Sequence, residues 1–170
     1  FKYEKCHKIR SYVPETHVKP EQIAAAAKLI DSAKKPLILF GHGIIISRAE
    51  EEFKTFVDKT GIPAAWTLMG LSALPSEHRL NVGMLGMHGN YGPNLLTNEA
   101  DLIIAVGMRF DDRVTGKVSE YAKKAKVIHI EIDPAEIDKI IKTEVAIIGD
   151  AKKALKLLNQ AVSENKHEEW

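Results

Sequence analysis

The sequence has little of what marks secreted, membrane-bound or nucleic-acid-binding proteins. Its single cysteine, Cys6, excludes an internal disulfide and a cysteine-based zinc site, and it fits a reducing compartment, so we expect a cytoplasmic protein. No apolar run approaches the roughly 20 residues that a membrane-spanning helix needs. The formal net charge of +1 gives no electrostatic reason to expect nucleic acid or an anionic membrane as a partner.

The common catalytic motifs are also missing. The chain has no nucleophile elbow, no P-loop lysine and no zinc-ligand spacing. Its histidines at 42, 78, 88 and 129 are scattered, and no pair of carboxylates is framed for acid–base chemistry. We therefore expect neither a catalytic residue nor a metal site within the chain.

What remains is the composition of one ordinary globular domain. The 170 residues, 45% hydrophobic and 28% charged, suit a single domain with a full-sized core. Residues 1–19 are polar and irregular and predict a linker, 20–163 predict the domain, and the mostly charged or polar 164–170 predict a frayed tail. The chain begins at Phe1, without the apolar stretch of a signal peptide, and we interpret it as a processed product or a fragment of a longer protein.

Short apolar runs alternate with amphipathic stretches along the domain. The runs predict buried strands at 36–40, 63–66, 101–106, 126–132 and 144–148. Helical patterns begin near Pro20, Ser47, Asp133 and Asp150, with a first-turn proline or a capping residue at each. This alternation predicts an α/β fold, a Rossmann-like three-layer sandwich with a mostly parallel sheet of about six strands and helices on both faces.

Ligands of such sheets bind beyond the carboxyl ends of the strands, and the loops there are unusual. Gly41 and Gly43 follow the first strand, where they could admit a phosphate or simply form a tight strand-to-helix turn. The segment 83–92 predicts a loop dense in glycine and methionine. Its methionines could fill gaps in the core, but the combination favours a flat apolar ligand with His88 as a hydrogen-bond partner.

Charged residues follow the later strands. Arg109 could pair with a phosphate, whereas 111–113 could equally be a solvated salt-bridge cluster. Glu131 could accept hydrogen bonds from ribose hydroxyls or point outward, and Asp133 is explained as a helix cap. These loops predict a nucleotide site that is poor in reactive groups.

Three segments, 83–89 (GMLGMHG), 107–116 (GMRFDDRVTG) and 130–136 (IEIDPAE), together resemble one family. They are similar to the central domain of the catalytic subunit of acetolactate synthase (acetohydroxyacid synthase), and the resemblance runs from about Ile9 to the closing helix. It implies an enzyme that condenses pyruvate-derived hydroxyethyl with a second 2-keto acid in branched-chain amino acid biosynthesis. It also implies that the outer domains hold thiamine diphosphate and Mg²⁺, while the central domain holds FAD without net redox chemistry.

The resemblance implies partners as well. These are flanking N- and C-terminal thiamine-diphosphate-binding domains, further copies of the full subunit in a homodimer or homotetramer, and a small regulatory subunit. The isolated domain is then expected to be inactive. Two alternatives stay open: an empty spacer domain of another thiamine-diphosphate enzyme, and a free-standing NAD-binding protein, which the missing third fingerprint glycine disfavours.

By resemblance, the loops divide FAD between them. Positions 67–70 line the flavin chain, 85–88 approach the flavin, 107–111 wrap the ribityl and pyrophosphate region, and 131–132 with 150–151 lie at the adenosine end. The residues expected to bind FAD are therefore Gly41, Gly43, Thr67, Leu68, Met69, Gly70, Leu85, Gly86, Met87, His88, Gly107, Met108, Arg109, Phe110, Asp111, Glu131, Ile132, Asp150 and Ala151. Asp112 and Arg113 match positions near the substrate channel. His42 and Glu131 depart from the family's commoner glycine and aspartate.

Overall fold

The computed structural model describes residues 3–5 and 17–170 of the chain. Most of the predicted linker, including Cys6, lies outside those residues. The strands are β1 (Pro36–Phe40), β2 (Ala64–Trp66), β3 (Asn81–Met84), β4 (Leu102–Val106), β5 (Lys126–Glu131) and β6 (Val145–Ile148). The helices are α1 (Pro20–Ser32), α2 (His42–Ile46), α3 (Glu50–Thr60), α4 (Tyr91–Glu99), α5 (Asp112–Thr115) and α6 (Ala151–Ala161).

All six strands are parallel and form one sheet in the order β3-β2-β1-β4-β5-β6. This confirms the predicted α/β fold and its number of strands. The strand order reverses between β1 and β4. The strands β2 and β3 are added on one side of β1, whereas β4, β5 and β6 are added on its other side. At such a reversal the loops after the two central strands leave toward opposite faces and open a crevice at the carboxyl edge of the sheet.

The core lies on both faces of the sheet. Alternate side chains of a strand point to opposite faces, so Ile38 and Phe40 of β1 join one cluster while Leu37 and Leu39 join the other. The first cluster packs against α1, α3 and α6. The second lies under α4 and the segment 108–122. Every residue of β1 is buried, which is why its sequence is an unbroken apolar run rather than an alternating one.

The predicted helix caps are partly right. The Asp150 side chain accepts from Lys153 N at 3.0 Å and begins α6, as expected. Asp133 accepts from Ala135 N at 2.9 Å, but only a single 3-10 turn follows it. The capping box at 47–50 is wrong: the Ser47 hydroxyl donates to Gly43 O at 2.7 Å, and α3 begins without a side-chain cap.

A strand and a helix occur where the sequence predicts mainly a loop. β3 is half-buried along its length and contains Gly83 at φ 102°, so neither apolar alternation nor β propensity marks it. α4 begins after a six-residue loop (85–90), with Gly92 and Pro93 in its first turn. The Asn90 side-chain oxygen accepts from Met84 N at 3.2 Å and ties the end of the strand to the start of the helix. Both elements are fixed by contacts that local sequence patterns do not display.

The last residues lie against the domain, in contrast to the frayed tail predicted for 164–170. Asn165 N donates to Lys59 O at 3.0 Å, and the Trp170 indole N–H donates to Pro36 O at 2.8 Å. The Lys35 ammonium lies 5.3 Å from the centroid of the same indole ring. One aromatic residue thus anchors a segment whose average composition is polar. The domain boundary at residue 163 stays a prediction.

Candidate functional site

A cavity of about 760 Å³ opens at the carboxyl edge of the sheet, where the strand order reverses. The loops that follow all six strands contribute to its lining. Its volume lies within the range of about 300–1,000 Å³ that is usual for small-molecule and cofactor sites. The cavity therefore lies where the sequence predicts a ligand.

Two glycines meet at the back of this cavity. Gly43 N donates to Gly107 O at 2.9 Å, so the loops after β1 and β4 touch through their backbones. A Cβ placed on Gly43 would lie 2.5 Å from Gly107 Cα, and one on Gly107 would lie 2.7 Å from Gly43 Cα. Gly107 also has φ 57°, which side-chain-bearing residues rarely adopt. Neither position has room for a side chain.

Most of the residues predicted to bind the cofactor line the cavity. They come from the predicted turns after the strands and from the first turn of α6. These lining residues are Gly43, Thr67, Leu68, Met69, Leu85, His88, Gly107, Met108, Arg109, Asp111, Glu131, Ile132, Asp150 and Ala151. Arg113, predicted for the substrate channel, lines it too, whereas Asp112 does not.

The glycines among the predicted residues that lie outside the lining hold loops together behind the wall. A Cβ on Gly41 would lie 2.6 Å from Gly107 O, one on Gly70 2.6 Å from Phe40 O, and one on Gly86 2.5 Å from Arg113 O. Each glycine therefore allows two backbones to approach closely. Their role in the structure is loop packing.

Phe110 and Met87 also lie outside the lining. The Phe110 side chain is buried and packs edge-on against Tyr121 and His129, with ring centroids 6.2 and 5.2 Å away. Met87 is exposed. These two positions sit among lining residues in the sequence, but the backbone between Gly107 and Asp111 turns Phe110 into the core instead.

Several lining residues are not among those that the sequence predicts. They are His42, Ile46, Ser47, Met84, Val114, Ile130 and Gly149. Ile46 and Ser47 lie at the end of α2, one helical turn beyond Gly43, so the helical period of that segment could have pointed to them. The others directly adjoin predicted residues along the chain, and only the course of the backbone brings them to the wall.

The charged groups at the mouth are only loosely paired. Arg109 Nη2 lies 3.7 Å from Asp111 Oδ2, and Arg113 Nη1 lies 3.8 Å from Asp112 Oδ2. All four side chains are well exposed, so these pairs contribute little to stability. The Asp111 carboxylate also accepts from Arg113 N at 3.1 Å and caps α5. The two guanidinium groups therefore lie near the cavity without a strong ion pair to another described residue.

Glu131 ends β5, the strand next to β4, and lines the cavity. Burial raises the pKa of its carboxyl, and hydrogen bonds from Asp133 N and Ile132 N, at 3.3 and 2.9 Å, act in the opposite direction. Both bonds reach the same oxygen, Oε1. The backbone after the strand thus fixes the orientation of a half-buried acceptor that lines the cavity.

Two kinds of feature are absent from the residues that the structure describes. Across 3–5 and 17–170, no group of three or more His, Cys, Asp or Glu side chains is placed to hold a metal ion. In the same ranges, no helix combines the length and apolar character needed to cross a membrane.

Comparison with known proteins places this geometry in a family. A family model described as "Thiamine pyrophosphate enzyme, central domain" matches residues 23–158. A probable acetolactate synthase large subunit from Methanocaldococcus jannaschii is 47% identical over 151 residues, covering 89% of this chain and 26% of that protein. The acetolactate synthase large subunit of Corynebacterium glutamicum is 46% identical over 157 residues, covering 92% of this chain and 25% of that protein.

The chain spans about a quarter of the length of these curated relatives. The family model covers all six strands and the cavity between their loops. The chain belongs to the thiamine pyrophosphate enzyme family, as a central domain of it.

Proposed function

We propose that this chain is the central domain of an acetolactate synthase large subunit and that it holds FAD in the cavity at the carboxyl edge of its sheet. The observation that carries the proposal is this cavity, built by the loops of all six strands in a chain 46–48% identical to several acetolactate synthases. In the proposal, the intact enzyme transfers a pyruvate-derived hydroxyethyl unit to a second 2-keto acid.

The lining suits a molecule with a flat apolar end and a charged middle. Leu68 and Met69 present exposed apolar side chains to the cavity, which match a flavin ring in a largely apolar site. Arg109 brings an exposed guanidinium group to the same cavity, and this group matches a pyrophosphate.

Acidic side chains at the end of β5 and at the start of α6 suit the other end of the ligand. Glu131 and Asp150 line the cavity and are oriented by backbone N–H donors. A carboxylate at such a strand end accepts ribose hydroxyls in dinucleotide sites. We therefore assign this side of the cavity to the adenosine part of FAD.

The bound FAD would act as a structural cofactor without net redox chemistry. The residues of this chain would contribute binding and orientation. Apolar side chains would cover the ring and Arg109 would neutralise phosphate charge, while Asp112 and Arg113 would border the substrate channel. Thiamine diphosphate and Mg²⁺ belong, in this proposal, to flanking N- and C-terminal domains of the same subunit. Two or four such subunits, with a small regulatory subunit, would form a cytoplasmic enzyme.

The test is made on the full-length protein that contains this chain. We expect it to purify with the visible absorbance of bound flavin and to form acetolactate from pyruvate when thiamine diphosphate and Mg²⁺ are supplied. A full-length protein that is colourless and active without added FAD would contradict the proposal and favour the empty spacer domain.

Blocking the cavity sharpens this test. Leu68 is 66% exposed and lines the cavity, so Leu68→Trp should fill space there without disturbing the core. Leu71, 48% exposed and outside the lining, is the matched position for Leu71→Trp. We expect loss of bound flavin only in Leu68→Trp. Equal flavin content in both variants would place the cofactor elsewhere. Gly86 is the poorer probe, because a side chain there collides with backbone.

A further inference from the structure

His129 is a buried polar residue in a sheet that is otherwise apolar around it. It lies in β5, opposite Ala105 of β4, and is 1% exposed. Its Nε2 atom lies 2.9 Å from the Met108 carbonyl oxygen. A carbonyl oxygen carries no hydrogen, so Nε2 must carry the proton and donate it. The neutral tautomer of this imidazole is thereby fixed.

The other ring nitrogen gains nothing from this position. The buried Nδ1 has no hydrogen-bond partner among the described residues. Burial lowers the pKa of the imidazole, which keeps the ring neutral. An unsatisfied buried polar atom is costly, and an apolar side chain would avoid that cost. The hydrogen bond to Met108 is what an apolar residue could not supply.

Met108 lies in the segment that shapes the cavity. It follows Gly107, whose backbone meets Gly43 at the back of the site, and it precedes Arg109 at the mouth. His129 contacts this segment at a second point, because its ring packs edge-on against Phe110 with centroids 5.2 Å apart. One buried imidazole thus holds the loop 107–111 by a hydrogen bond and by a ring contact.

We infer that His129 is a positioning residue for the cofactor cavity, which fixes the Met108 carbonyl and through it the course of 107–111 along the cavity wall. The link to a cofactor rests on the function proposed above. His129 touches no ligand in this scheme. Its effect reaches the cavity through the backbone of Met108 and the packing of Phe110 into the core.

The test compares His129→Leu with His129→Gln in the full-length protein. Leucine fills a similar volume but cannot donate, whereas the glutamine side-chain amide can reach the Met108 carbonyl from the same backbone position. Thr60→Val is the control, because Thr60 is equally buried and its hydroxyl donates to Phe56 O at 2.7 Å, far along the chain from this loop. Each variant loses or alters one buried side-chain bond to a carbonyl.

The first readout needs no cofactor. In hydrogen exchange we expect the amides of 107–111 to exchange faster in His129→Leu, near the wild-type rate in His129→Gln, and unchanged in Thr60→Val. Wild-type exchange across 107–111 in His129→Leu would overturn the inference. It would also be overturned if the leucine variant accelerated exchange evenly over the whole sheet, because His129 would then be a core residue only.

The second readout is the affinity for FAD. Loss of one ordering hydrogen bond predicts about tenfold weaker binding in His129→Leu, with most of the affinity restored in His129→Gln and none lost in Thr60→Val. Unchanged affinity in His129→Leu, in a wild type that binds FAD, would remove the link between this residue and the site. A wild type that binds no FAD would refute the proposed function instead, while the exchange experiment still decides the role of His129 in the loop.

Discussion

Gly107→Ala tests whether the contact between the loops after β1 and β4 shapes the cavity. The new Cβ would lie 2.7 Å from Gly43 Cα and 2.9 Å from its carbonyl carbon, both backbone atoms. Ordinary contact begins near 3.4 Å, so the two backbones must separate by about 0.7 Å. Gly116→Ala is the control for a Cβ added at positive φ without a clash, since Gly116 has φ 56° and ψ −122° and no atom lies within 4 Å of the new Cβ.

Gly107→Ala carries two costs. A side chain at positive φ costs about 1–2 kcal/mol, and overpacking against the Gly43 backbone adds about 1–3 kcal/mol. With a urea m-value of about 2 kcal/mol/M, the unfolding midpoint of Gly107→Ala should lie about 1–2.5 M below that of the wild type.

Urea unfolding of the wild type and both variants, followed by circular dichroism, measures this difference. In the full-length protein, Gly107→Ala should also retain less flavin than Gly116→Ala, because the displaced backbone forms the back of the cavity. A Gly107→Ala midpoint equal to that of the wild type would show that the loops separate at no cost and would refute the reasoning. A shift of the midpoint with unchanged flavin content would show that the packing of these loops affects stability but not cofactor binding.

Three further predictions concern single side chains. Arg109→Ala should weaken FAD binding by about tenfold or more through loss of a charge-assisted contact, as followed by flavin fluorescence, while Arg79→Ala, an exposed arginine outside the cavity, should not. Burial lowers the pKa of His129 below its ordinary value of 6.5. The unfolded chain therefore takes up a proton at His129 at a higher pH than the folded chain does, so the free energy of unfolding falls as the pH drops from 6.5 toward the lowered pKa. The unfolding free energy should then fall less steeply below pH 6.5 in His129→Gln than in the wild type, and parallel curves would contradict this. Trp170→Ala should destabilise the chain by about 1–2 kcal/mol in urea, because it removes the bond to Pro36 O and the ring's contacts, and an unchanged midpoint would mean that the tail contributes nothing.

The strands most accessible from the sequence are those buried on both faces. β1 and β4 are apolar at every position, and an apolar run of five residues that ends at a glycine is typical of a strand in a parallel sheet. Caps are predictable where a short acidic side chain stands before the helix, as Asp150 does. In these places local residues decide the local structure, so local patterns suffice.

β3 and the C-terminal segment depend on partners outside the element itself. β3 forms an edge of the sheet and is held by pairing with β2 and by the Asn90 side chain. Trp170 finds its acceptor at Pro36, 134 positions away in the chain. Neither partner can be read from the residues around the element, which is why the sequence predicts a loop in place of the strand and a frayed tail in place of the docked segment.

The sequence does not distinguish the glycines that line the candidate site from those that lie outside its lining. Gly43 and Gly107 line the cavity, whereas Gly41, Gly70 and Gly86 lie behind it, yet at all five a Cβ would collide with the backbone of another loop. The close approach of the loops is therefore sufficient to explain these glycines, and their presence is not evidence for a phosphate ligand. The features that favour a nucleotide are the volume of the cavity and the guanidinium and carboxylate groups that line it. Substitutions that change those groups test the ligand, while substitutions of the glycines test the wall.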